Sequence, residues 1–108
     1  MGEARLRVEL TEEASRDLYA IDDYWTLRGE AWRGEKYYDD LRNFAEQNLS
    51  DRVVARHGRR IKSERHPDAR EILAFGVYRI IYEIDDTDSF VTILSFWHAH
   101  RDDPRREL

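Results

Sequence analysis

Residues 77–84 read VYRIIYEI. Strand side chains point alternately to opposite faces of a sheet. Tyr78, Ile80, Tyr82 and Ile84 therefore share one face, and Val77, Arg79, Ile81 and Glu83 share the other. The first set reads as core. The second is partly apolar but carries a full positive charge in the middle. A buried lone guanidinium is costly, so Arg79 needs solvent or an acid on its side of the sheet. Glu83 lies four residues along the same strand, about 13 Å away, which disfavours direct pairing. A neighbouring strand is the other source of an acid.

The flanks extend this reading to a sheet. EILAF at 71–75 makes a short strand, and Gly76 turns the chain into VYRIIYEI. DDTDS at 85–89 is a polar hairpin loop, and FVTILSFW at 90–97 is the last strand. Short loops make these strands antiparallel. In the last strand, alternation sets Phe90, Thr92, Leu94 and Phe96 against Val91, Ile93 and Trp97. Both faces are apolar, so each needs a cover: helices on one, and the C-terminal tail, another subunit or a partner chain on the other.

Upstream, ARLRVEL at 4–10 alternates as a strand with one wet face. Thr11 is placed to cap a helix that opens with Glu12 and Glu13, where the helix dipole favours acids. Ala14, Leu18, Ile21 and Trp25 recur at helical spacing over 11–28, and Gly29 can end the helix. Tyr37, Leu41, Phe44, Ala45 and Leu49 form the apolar stripe of a second helix over about 31–50. The expected fold is α+β, in the order β-α-α-β-β-β. A helical hairpin packs on one face of a mainly antiparallel sheet, with residues 1–108 as one domain.

The chain has 108 residues and a net charge of −5, with charged residues at 38%. No apolar run approaches the ~18 residues of a membrane span, and no signal peptide is evident. Cysteine is absent, which fits a cytoplasmic protein and excludes disulfides and thiolate metal sites. Acids dominate the first half. Arg52, Arg56, Arg59, Arg60, Lys62, Arg65 and Arg70 make 52–70 a basic block, suited to an acidic partner, to nucleic acid, or only to solvent. His98-x-His100-x-Asp102 has the alternation of a metal site, but few other histidines support it. No metal and no cofactor are expected. His98 reads as a packed imidazole at a strand end.

LTEEASRDLYAIDDYW at 10–25, REILAFGVYRIIYEIDD at 70–86 and ILSFWHAHRDDP at 93–104 together resemble the RelE/ParE superfamily of toxins from toxin–antitoxin pairs. The likeness rests on Asp17-Leu18 in the first helix and on Tyr78-Arg79-Ile80-Ile81-Tyr82. It continues in His98-Ala99-His100-Arg101-Asp102 after the last strand. The resemblance implies a toxin that inhibits growth, stabilises plasmids and is neutralised by a cognate antitoxin. In the RNA-cleaving branch it implies phosphate contacts by Arg79 and Arg101, with His100 as a proton donor or acceptor.

This chain departs from the RNA-cleaving pattern. Ile72 stands where that branch often has a basic residue, and Glu71 puts a carboxylate beside the path of an RNA backbone. The long helices and the overall acidity look closer to the ParE branch, which acts on DNA gyrase. The expectation is therefore a gyrase inhibitor. A ribosome-dependent mRNA endonuclease and a non-toxic partner-binding protein are the alternatives. Val77, Arg79, Ile81, Val91, Ile93, Trp97 and Arg101 are the expected antitoxin-binding residues, in a homo- or hetero-oligomer, with the acidic hairpin left mostly solvated.

Overall fold

Thr11 starts the helical half as its position predicts: its hydroxyl accepts the Ala14 N–H at 3.0 Å. The computed structural model describes residues 5–85, 87 and 89–98. Strand β1 (Arg7–Leu10) leads into α1 (Glu12–Leu27) and α2 (Ala31–Leu49). Gly29, in the left-handed region at φ 79°, makes the turn between the two helices. Then come a short α3 (Arg52–Arg56), a two-residue β2 (Arg59–Arg60), β3 (Arg70–Ala74), β4 (Tyr78–Asp85) and β5 (Phe90–His98). The five strands lie in the order β1-β5-β4-β3-β2. Only β1 runs parallel to its neighbour, β5; the other pairs are antiparallel. The expected α+β hairpin-on-sheet architecture is present, with α3 and β2 added inside the basic block. No helix among the described residues is long and apolar enough to cross a membrane.

The main core lies between the helical hairpin and one sheet face. Leu18, Leu41 and Leu49 meet Tyr78, Ile80, Tyr82, Val91, Ile93 and Phe96 there. Strand β4 alternates as its sequence predicts, but β5 does not. Ile81 is paired with Ser95 and Tyr82 with Ile93, so Leu94 is an extra residue in β5. The bulge shifts the phase of alternation. Val91 and Ile93 face the helices before it and Phe96 after it, while Leu94 and Trp97 face away.

The bulge is held from α1. Beyond Leu10, β1 gives way to the helix and no longer pairs with β5. Thr11 bridges the change: its N–H donates to the Ile93 carbonyl at 3.0 Å and its hydroxyl to the Leu94 carbonyl at 3.2 Å. One turn and a half later, the Asp17 carboxylate accepts the Ser95 hydroxyl at 2.8 Å and the Phe96 N–H at 3.0 Å. Asp17 thus takes the place of a neighbouring strand, and Leu18, fully buried, packs in the core beside it.

Tyr82 ties α3 to the sheet. Its hydroxyl is fully buried and donates to the Ala55 carbonyl at 2.6 Å. Gly58 leaves room for the ring, since a Cβ there would overlap the Tyr82 hydroxyl. Arg70 closes the same turn by donating to the Gly58 carbonyl at 2.8 Å. Burial pushes the Tyr82 hydroxyl up from its ordinary value near 10 to about 12, against the opposing charge of Arg70.

Two predictions follow from these anchors. Asp17→Ala removes a charged acceptor from two hydrogen bonds and is expected to lower stability by about 1.5–3 kcal/mol. Chemical denaturation measures this, and hydrogen exchange is expected to speed up most at Phe96. The Tyr82 shift is a raised one, so its contribution is fully present below pH 10 and is lost as pH rises through about 12. In Tyr82→Phe, stability is expected to be lower at neutral pH by about 1–3 kcal/mol, because the Ala55 carbonyl loses its donor. Its further decline between pH 10 and 12 is expected to be shallower than in the unmodified protein, as read from urea midpoints.

Candidate functional site

Arg79 projects from β4 on the face away from the helices. Its register partners are Leu73 on β3 and Trp97 on β5. The acid it needs comes from the neighbouring strand. Glu71 of β3 lies diagonally opposite, with its Oε2 4.0 Å from Arg79 Nε. Glu71 in turn sits directly across from Arg59 of β2, at 4.0 Å between Oε1 and Nε. The Glu71 side chain is only 13% exposed, against 35% for Arg79 and 83% for Arg59. Its Oε2 is shielded from solvent and accepts no hydrogen bond.

The rest of this face is closed by the chain itself. Ile61 and Ala69 pack with Ile81, Leu94 and Trp97 into a second, smaller core. The covering segment, 61–69, is folded on itself: Ile61 N–H donates to the Ala69 carbonyl and Ala69 N–H to the His66 carbonyl, at 3.1 and 3.0 Å. His66 reaches back to the sheet, with its Nδ1 3.1 Å from Glu83 Oε1. The cover expected from a tail, subunit or partner is thus supplied by the middle of the basic block. Sequence reasoning missed it because the segment holds only two apolar side chains that reach the sheet.

The facing and exposure expected of the strip residues are corrected accordingly. Val91 and Ile93 are fully buried against the helices, because the bulge reverses their facing. Val77 lies in the turn before β4 and also packs on the helix-side core. Ile81 and Trp97 do face away from the helices, but they are buried beneath 61–69. Arg79 remains accessible, beside the exposed Leu73, while Phe75 in the turn packs on Phe44 of α2. His100 and Arg101 lie outside the described residues, as does Asp102 of the weighed metal motif. His98 packs edge-on against Tyr78, the role expected of it.

Half of the large exposed apolar side chains among the described residues lie on the helical hairpin, and Val53 and Val54 of α3 are two of the others. Tyr19, Tyr24, Leu27 and Trp32 are all exposed, Leu27 at 88%. Tyr19 rests on Tyr38 of α2. Arg28 lies over Tyr24 at 4.3 Å, and Arg33 lies between Trp25 and Trp32 at 4.8 and 5.2 Å. A cavity of about 390 Å³ opens where α1 meets the ends of β4 and β5, lined by Ile21, Tyr24, Tyr78, Phe96 and His98 with Asp17 at its polar end. Burial raises the Tyr78 hydroxyl above its ordinary range, with the Trp25 indole acting against that rise.

Residues 8–103 match the family model of the ParE toxin of the type II toxin–antitoxin system parDE. No curated protein matches the chain. Among solved structures, the chain is similar to one from the chromosomal ParDE toxin–antitoxin system of P. aeruginosa. That likeness has a TM-score of 0.72 and 18% identity, over 89% of this chain and 98% of the other. It is also similar to a chain of the RelBE2 toxin–antitoxin complex of Mycobacterium tuberculosis. There the TM-score is 0.65 and the identity 26%, over 87% of this chain and 98% of the other.

The His66–Glu83 contact generates a prediction. His66→Ala is expected to free the cover, so that the amides of Ile61 and Ala69 exchange faster by about tenfold or more while those of α1 and α2 keep their rates. Unchanged exchange at Ile61 would show that the apolar contacts alone hold the segment down.

Proposed function

Because the chain belongs to the ParE toxin family of type II toxin–antitoxin systems, we propose that it acts as ParE-like toxins do. It binds and inhibits DNA gyrase in the cytoplasm, arrests growth, and is neutralised by a cognate antitoxin. The observation that supports this reading over mRNA cleavage is the carboxylate beside Arg79, the one candidate catalytic group among the described residues: Glu71 lies against it. A phosphate in that position would meet an acid where an RNA-cleaving site needs unopposed cations. The overall acidity works in the same direction, since a ribosome binder gains affinity from many phosphate contacts.

On this proposal Arg79 is the charged contact of the antitoxin and the hairpin, first expected to stay mostly solvated, its apolar one. Ile81, Val91, Ile93 and Trp97 have no surface left to offer. Tyr19, Tyr24, Leu27 and Trp32 do, and aromatic side chains with arginine at hand are what protein interfaces favour. Burying that patch gains ~25 cal/mol per Å² of apolar area. The acids of α1 and α2 around it select a partner with basic residues at its rim.

Supercoiling by purified gyrase tests the target. The expected result is inhibition that disappears when the product of the adjacent gene is added first, with no cleavage of mRNA on translating ribosomes. Ribosome-dependent cleavage lost in Arg79→Ala would replace this reading with the nuclease one. Hydrogen exchange of the antitoxin complex tests the surface: protection is expected around Tyr19, Tyr24 and Trp32, and slight at Ile81.

A further inference from the structure

Arg59, Glu71 and Arg79 sit on three adjacent strands, β2, β3 and β4, with the acid in the middle. Neither arginine makes a hydrogen bond of ordinary length to it. Both nitrogens stop at 4.0 Å, beyond the 2.7–3.2 Å of an N–H···O bond. Arginine and carboxylate held together for stability favour short, forked contacts. Here one carboxylate oxygen is buried without a partner, and the two guanidinium groups are left with donors unused by it. The basic block continues along the same sheet edge, with Arg60, Lys62 and Arg65 exposed. Without Glu71, this edge would present converging cations on a half-open face, the electrostatic footprint of a nucleic-acid backbone site.

We infer that Glu71 is an internal anion occupying the place between Arg59 and Arg79 where a nucleic-acid phosphate would bind, and that it keeps RNA off this edge of the sheet. Its role is to determine specificity. A carboxylate fixed between the two arginines cancels their charge where a phosphodiester would need it, and its own charge repels the incoming backbone. The remaining cations of 52–70 stay exposed without turning the protein into a non-specific RNA binder. The inference deepens the proposed function, resting on its claim that this face does not handle RNA, and it accounts for that claim through one side chain.

The test is binding of a short fluorescein-labelled single-stranded RNA at low salt, read by anisotropy, together with thermal melting. Glu71→Gln keeps the shape and removes the charge. It is expected to bind the RNA at least about tenfold more tightly than the unmodified protein, with a steeper salt dependence. Adding Arg79→Gln to it is expected to return binding to the original level. The melting temperature of Glu71→Gln is expected to stay level, because both arginines keep access to solvent and neither has a hydrogen bond of ordinary length to lose. A purely structural ion pair gives the opposite pattern: a lower melting temperature and no gain in RNA binding. Glu71→Thr, neutral and suited to a strand, is measured in parallel so that a folding failure of one variant leaves the other to decide. If neither neutral variant gains affinity, or if the gain survives Arg79→Gln, this inference is overturned and the gyrase reading stands. If the unmodified protein itself cleaves ribosome-bound mRNA, the functional reading fails, whatever the Glu71 variants do.

Discussion

The Asp17 carboxylate accepts two hydrogen bonds from β5, and the division of the sheet into two faces depends on them. A strand next to the edge needs a partner on both sides. Strand β1 supplies one only as far as Leu10, where Thr11 diverts the chain into α1. From there the helix must satisfy β5 with side chains. Thr11 and Asp17 do so at the bulge, one from the cap and one from the second turn. Fixing the bulge fixes the phase of everything after it. Phe96 then meets Ile80 over the helices while Trp97 meets Arg79 on the far side. An acid followed by a leucine at 17–18 is thus one device: the acid holds the strand, and the leucine fills the core it frames.

The second face follows from that phase. Trp97, Leu94 and Ile81 form an apolar surface too large to leave open on a small protein, and Ile61 and Ala69 close over it. Charge is settled on the same face by pairing across strands and loop. Glu83 meets His66, and Glu71 lies between Arg59 and Arg79. Arg79 is tolerated in an apolar strand because it stays partly in solvent and because the acid on the next strand lowers the cost of placing a charge there.

Much of this was legible in the sequence. The helix spans, the cap at Thr11, the β3–β4–β5 meander and the helix-facing residues of β4 all follow from period and turn chemistry. The facing of Val91 and Ile93 did not, because a bulge leaves no mark in a strand that is apolar on both sides. FVTILSFW reads equally well in either phase. The turn before β4 was half legible. Gly76 marks it, but Phe75 at φ 54° shares the left-handed conformation, which sequence alone does not suggest for an aromatic residue. That extra turn residue is why Val77 stands outside the strand and packs with the helices. Strand β2 is two residues long, too short for any pattern. The acid for Arg79 was legible only as a requirement, since pairing between strands sets the partner.

The distribution of polar groups then bears on where a partner can act. On the sheet, Asp17, Glu71, Glu83, His66 and Arg70 are engaged with other parts of the same chain, and the apolar residues beneath them are enclosed. Changing Asp17 or Arg70, which bond backbone groups, alters the fold before it alters a surface. The hairpin is different. Leu27 and Trp32 stand near its turn with no core to fill, and removing them leaves the stripes of Leu18, Leu41 and Leu49 intact. Large apolar side chains held in water at positions the fold does not need are what the proposed contact surface would use. On the proposed function the helices serve both purposes, one side building the core that carries the sheet and the other presenting the contact surface. The bonds from Thr11 and Asp17 set the position of that surface relative to Arg79.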